Sequence, residues 1–129
     1  MDTEGLKKSF DLLTPVRYSL HMKSKHLTGD QLLTALSALS NPHRLRVVAA
    51  LATGGRNYVS QLARELNISR PLLHLHLQKL EEAGLVTSQL ELSDDGKALN
   101  YFETAPFAID LTPATIAQAV QTLTNNPEK

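Results

Sequence analysis

The 129-residue chain contains no cysteine, no excess of charge of either sign and no long apolar run. Without thiols there are no disulfides, thiolate metal sites or cysteine nucleophiles to consider. The most apolar stretch, Leu45 to Ala52, is broken by Arg46 and falls far short of the roughly 20 residues a membrane helix needs. The opening Met1-Asp2-Thr3-Glu4-Gly5 is acidic and polar, unlike a secretory signal, so a cytoplasmic location is expected. Hydrophobic residues make up 42% and charged residues 20%, the ordinary range for a globular protein. The length suits one domain with a single core and short tails.

A net charge of zero argues against a nucleic-acid partner only if the charges are evenly spread, and they are not. Residues 1–40 carry +1, residues 41–80 carry +5 and residues 81–129 carry −6. The basic segment sets Arg44, Arg46, Arg56, Arg64, Arg70 and Lys79 against Glu65 alone, with His43, His74 and His76 in the same stretch. A neutral chain segregated in this way can present one positive face to phosphates, although a solvated face with no partner has the same composition.

Thr28-Gly29-Asp30-Gln31 has the form of a capping box, a hydroxyl at the cap and an amide side chain three residues on. Leu32, Leu33, Leu36 and Leu39 come next at helical spacing. Asn41-Pro42 opens a second helix, because the N–H that proline lacks has no partner in a first turn. Leu45, Val48, Ala49 and Ala52 are placed on one side of it, and Gly54-Gly55 ends it. A short helix from about Val59 to Leu66 turns Leu62, Ala63 and Leu66 inward. Asn67 tolerates the left-handed conformation that ends a helix, Ile68 is expected as a buried link, and Ser69 caps the next helix. So short a connection is the spacing of a helix-turn-helix. The second helix of the pair runs from Arg70 to about Ala83, carries Leu73, Leu77 and Leu80 on one stripe, and stops at Gly84.

Beyond Gly84 the apolar period changes to two. Val86, Ser88, Leu90 and Leu92 share one strand face, and Leu99, Tyr101 and Glu103 another. Asp95-Gly96 suits a two-residue hairpin turn, which pairs Leu92 with Leu99 and Leu90 with Tyr101. A hairpin directly after a helix-turn-helix is a wing. The expected fold is therefore mainly α with a small β-hairpin (α+β), a winged helix-turn-helix. It divides into an N-terminal arm (1–29), the winged domain (30–105) and a C-terminal helix and tail (106–129). In the last part Asp110-Leu111-Thr112-Pro113 supplies a cap, and Ile116, Val120 and Leu123 recur at i, i+4, i+7 with no charged residue from Thr115 to Leu123. Such a helix is covered either by a partner subunit or by the domain's own core. In the arm, Val16, Tyr18, Leu20 and Met22 alternate with polar residues, leaving an ordered arm and a mobile tail both open.

Three stretches together resemble the ArsR-type winged-helix regulators. They are Asn41-Pro42-His43-Arg44-Leu45-Arg46-Val47-Val48, Val59-Ser60-Gln61-Leu62-Ala63, and the run from Leu73 to Val86 that closes Leu80-Glu81-Glu82-Ala83-Gly84-Leu85-Val86. The similarity spans roughly Leu32 to Glu103 and keeps its order and spacing. It implies a homodimer held by the first and last helices, which makes Leu32, Leu36, Ile116, Val120 and Leu123 candidate dimer residues. It also implies recognition helices in successive major grooves and, in many members, release of DNA on binding a metal or other signal. The chain departs from the family twice. Metal-sensing members use cysteines on the first helix of the motif, or acid and histidine ligands on the terminal helix. Neither Tyr58-Val59-Ser60-Gln61-Leu62 nor the segment Pro113 to Leu123 supplies them, so no metal or cofactor is expected. The recognition helix also carries Pro71, Leu72 and Leu75 where the family favours Ser, Thr and His.

With Leu73, Leu77 and Leu80 inward, Arg70, His74 and Gln78 lie on an adjoining stripe at i, i+4, i+8. Arg70 suits a bidentate contact to guanine, Gln78 suits adenine, and Leu75 or Leu72 suits a thymine methyl. Ser60, Gln61, Arg64 and Arg56 suit phosphates, and Ser69 joins them at the start of the recognition helix. Arg44 is counted on the same basic face. His76, turned toward the core, reads as a packed histidine. On the wing, Lys97 and Asn100 suit a phosphate or a minor groove, whereas Asp94 and Asp95 at the tip are repelled by the backbone.

Enzymatic arrangements are missing. Glu81-Glu82 and Asp94-Asp95 are sequence neighbours that do not face each other, and His74 and His76 diverge on a helix. The expected function is a sequence-specific, duplex-DNA-binding transcriptional regulator, a homodimeric repressor and not an enzyme. The alternative is a winged-helix protein–protein interaction module with no specific DNA site, suggested by the outward leucines.

Overall fold

The computed structural model describes residues 26–124, so the expected strand or arm around Val16 to Met22 lies outside the described residues. The elements run α1 (Gly29–Leu39), α2 (Pro42–Gly54), β1 (Asn57–Tyr58), α3 (Val59–Leu66), α4 (Arg70–Glu82), β2 (Val86–Leu92), β3 (Ala98–Thr104) and α5 (Pro113–Val120). No helix among them is long and apolar enough to cross a membrane.

Helix boundaries are set by side-chain chemistry. Thr28 Oγ1 accepts from the Gln31 N–H at 3.1 Å while Gln31 Oε1 accepts from the Thr28 N–H at 3.0 Å, closing the capping box of α1. Asn41 Oδ1 accepts from the N–H groups of His43 and Arg44 at the start of α2. Asn67 ends α3 at φ 58°, ψ 47°, and Ser69 Oγ accepts from the Leu72 N–H to start α4. Each such cap is worth about 1 kcal/mol.

The core gathers where α2, α3 and α4 meet the sheet. Leu62, Leu73, Leu77 and Leu80 are buried, with Val47, Leu51, Leu85, Val86 and Phe102 around them. Fully burying one such leucine side chain stabilises by roughly 1.5–3 kcal/mol. Ile68 is only partly buried against this cluster rather than being a fully buried link. The face of α2 also differs from expectation. Val47 and Leu51 point inward, whereas Leu45 is exposed, as are Ala49 and Ala52. Apolar residues occur nearly all round this helix, so its own periodicity does not choose a side; packing against α4 and β3 does.

The sheet is three-stranded and antiparallel, in the order β1-β3-β2. The two-residue strand β1 gave no sequence signal of its own. The hairpin register is shifted by one residue from that expected: Leu92 faces Ala98, Leu90 faces Asn100, and Leu99 faces Glu91. Ser93 N–H donates to the Lys97 carbonyl and Gly96 N–H to the Ser93 carbonyl, with Gly96 at φ +86°. The connection is therefore a three-residue loop with glycine in the left-handed position, not a two-residue turn. The shift has a packing reason. It puts Phe102 opposite Ser88 on the same side as Val86, and both Phe102 and Val86 are buried. The expected register turns Tyr101 to that side instead, since a one-residue slip exchanges the two faces.

α5 packs on α1. The Gly29 N–H donates to Thr122 Oγ1 at 2.7 Å, and both the N–H and hydroxyl of Thr124 bond the Asp30 carboxylate. These donors hold the Asp30 carboxyl below its usual pKa. Of the apolar stripe Ile116, Val120 and Leu123, Leu123 lies against Gly29, whereas Ile116 and Val120 are exposed. The domain's own core does not cover α5; among its residues only Ala119 is buried.

Candidate nucleic-acid interface

The turn between α3 and α4 brings part of the expected site together. Ser60 and Arg64 from α3 and Ser69 and Arg70 from the start of α4 line one shallow, open depression of about 560 Å³. Leu62 and Ala63 face inward on α3, which leaves Arg64 exposed. Farther along α4, Leu73, His76, Leu77 and Leu80 are buried, and Arg70, His74, Leu75 and Gln78 are exposed. The neighbours of α4 are α1, α2, α3 and β2.

Other candidate residues are separated from that depression or already engaged. Gln61 lines a different recess with Arg56, Tyr58 and Tyr101, and its amide donates to Glu65 at 3.1 Å. Arg56 makes a bidentate pair with Glu91, at 2.6 and 2.8 Å, and its guanidinium lies 4.2 Å from the Tyr101 ring centre. The pair raises the Arg56 pKa and lowers that of Glu91, chiefly through these hydrogen bonds. A phosphate at Arg56 has to compete with Glu91. Gln78 donates to Glu82 at 3.3 Å, a bond on the helix surface that an adenine contact must replace. Lys97 is exposed in the wing loop beside Asp94 and Asp95. The Ser93 hydroxyl and the Lys97 N–H bond Asp95 and keep its carboxyl below the usual range.

Arg44 does not belong with the surface cations. Its Nε donates to the Ala38 carbonyl at 2.6 Å, and its terminal nitrogens reach the Ser37 carbonyl at 3.5 Å and His76 Nδ1 at 3.3 Å. It ties the end of α1 to the inward face of α4. His43 stacks on His76 with ring centres 5.3 Å apart. Charge counting missed this His43–Arg44–His76 linkage, because its signal is carbonyl coordination between helices rather than composition.

The sequence profile of the helix-turn-helix domain family matches residues 39–89. The arrangement of α3, α4 and the hairpin recurs in solved regulators. A possible transcriptional regulatory protein of Mycobacterium bovis superposes with TM-score 0.52 at 24% identity, covering 71% of this chain and 86% of that one. The chain carries a winged helix-turn-helix domain. HlyU of Vibrio cholerae shares this winged fold, with TM-score 0.51 at 21% identity over 71% of this chain and 87% of its own. An HTH-type transcriptional regulator of Methanocaldococcus jannaschii, itself uncharacterised, is 47% identical over 55 residues, or 43% of this chain. The winged helix-turn-helix chain covers 57% of that relative's length. Among the described residues no three His, Asp or Glu side chains converge on a point that would hold a metal.

Proposed function

We propose that the chain is a sequence-specific duplex-DNA-binding transcriptional regulator of ArsR type, a cytoplasmic homodimeric repressor that lays α4 in the major groove. The observation that carries this reading is the exposed edge of α4. Arg70, His74 and Gln78 stand exposed at i, i+4, i+8 on a helix whose adjoining stripe is locked into the core. Arg64, Ser60 and Ser69 around the turn give phosphates a basic seat beside that edge. In this reading residues 30–105 bind DNA, while α1 and α5 pair with their copies. The exposed Ile116 and Val120, together with the half-buried Leu32 and Leu36, form the apolar surface for that pairing.

A two-fold dimer predicts half-sites related by symmetry and centred about 10 base pairs apart. Fluorescence anisotropy on such a duplex is expected to show affinity falling steeply with salt, with Arg70→Ala costing about 1–3 kcal/mol. Binding that ignores both salt and Arg70→Ala overturns the reading. Arg64→Glu with Arg70→Glu should abolish binding; Arg44 is left intact because its loss unties two helices. A second reading, docking of another protein on α4, is favoured by Leu72 and Leu75, which are 38% and 60% exposed. It predicts a partner that survives the double charge reversal.

A further inference from the structure

Leucine in the middle of an outward helix face needs an explanation that the cationic edge beside it does not give. Leu75 is 60% exposed and Leu72, three residues earlier on the same side, is 38% exposed. Neither belongs to the core cluster that takes Leu73, Leu77 and Leu80 from the same helix. Pro71, His74, Gln78 and Lys79 around them are also exposed, and Arg70 begins the helix. The patch is thus two leucines within a polar rim, cationic at Arg70 and Lys79 and acidic only toward the helix end, where Glu82 takes the Gln78 amide.

The rim bears on what covers the leucines. A polar rim borders protein interfaces as well, so it is the cations, Arg70 and Lys79 with Arg64 across the turn, that favour a DNA groove, walled by phosphates and floored by base edges. Within the major groove the base edges display hydrogen-bonding atoms and one methyl group, the C5-methyl of thymine, where cytosine has only a hydrogen. A leucine pressed on guanine O6 or cytosine N4 strips water from a polar atom and returns no hydrogen bond, which is unfavourable. Pressed on a methyl group it buries apolar surface on both sides. From this complementarity, and resting on the DNA-binding reading, we propose that Leu75, supported by Leu72, is a specificity-determining residue that reads thymine C5-methyl groups. Its half-site then contains a thymine beneath the middle of α4, next to the pair contacted by Arg70.

Deoxyuridine tests this, because it removes the methyl group and leaves base pairing and charge intact. Duplexes are first selected from a random pool with the 129-residue chain, and each thymine of the winning site is then replaced in turn. One or two positions per half-site are expected to lose about fourfold in affinity, the size of one buried methyl group. Leu75→Ala is expected to lose that sensitivity at the same position, and Arg70→Ala to keep it. Exchanging the sensitive pair for 5-methylcytosine·guanine should weaken binding less than exchanging it for cytosine·guanine. Leu75 is exposed, so the alanine variant is expected to keep the wild-type circular dichroism and melting temperature.

Selection of no duplex at all removes the DNA-binding reading and this inference with it. A selected site indifferent to every deoxyuridine, or one whose sensitivity persists in Leu75→Ala, overturns the methyl assignment and leaves DNA binding standing. Equal affinity for methylated and plain cytosine overturns it too. If the leucine variants bind DNA as wild type but lose a protein partner, the patch belongs to that partner.

Discussion

His76 sits on the inward face of α4, 7% exposed, with Nδ1 beside the Arg44 guanidinium and Nε2 buried without a hydrogen-bond partner. Because Arg44 only donates, Nδ1 must be the acceptor, so the ring is neutral with its proton on Nε2. Burial first, then the charge of Arg44 and the proximity of His43, push its pKa below the usual 6.5. The unfolded chain therefore takes up a proton that the native protein resists. Stability is expected to be constant above this window, to fall as pH drops below about 6.5, and to stop falling below the lowered native value. Urea unfolding midpoints between pH 5 and 7.5 should show this slope, and His76→Met should flatten it. Gly29 is a second position where a small change is felt. A Cβ there meets the Ala119 carbonyl at 2.5 Å and Leu123 at 2.6 Å. Gly29→Ala is expected to lower stability by about 1–3 kcal/mol through overpacking, read from denaturant curves.

At the scale of elements, the local signals were legible and the long-range ones were not. Thr28, Asn41, Asn67 and Ser69 each act on their immediate neighbours and stand at the helix ends where the sequence put them, and Thr112 caps α5 within the segment expected to supply a cap. The hairpin register was decided elsewhere, by Phe102 turning under the helices and by β1 laying Tyr58 opposite Tyr101. No window of sequence around Asp95-Gly96 contains either fact. The candidate site divides the same way. The exposed stripe of α4 can be deduced from its leucines, but the capture of Arg56 by Glu91, 35 residues away, needs the folded sheet. That capture gives a graded expectation. Arg56→Ala should weaken DNA binding less than Arg64→Ala, because Arg56 must first give up Glu91. Glu91→Gln should strengthen the Arg56 contribution, and anisotropy titrations at one fixed salt concentration compare all three.

For the whole molecule, zero net charge conceals a division of labour, with the net positive charge between residues 41 and 80 and the net negative charge beyond residue 80. The exposed apolar residues include the leucines of α4 and, apart from them, Ile116 and Val120 of α5. If the latter pair is where two copies meet, Ile116→Glu with Val120→Glu should yield a monomer by sedimentation velocity. Affinity for a two-half-site duplex should fall by tenfold or more while α4 stays folded, since one half-site then binds alone.

The tie between Asp30 and Thr124 spans 94 residues, and α5 is a helix of eight residues that rests mainly on α1. So short a helix has little intrinsic persistence, and its lone buried residue gives it a weak anchor. Its amide protons should therefore exchange with deuterium long before those of α4. If a second copy shelters it, the α5 exchange rate will slow as the solution is made more concentrated, and that of α4 will change far less.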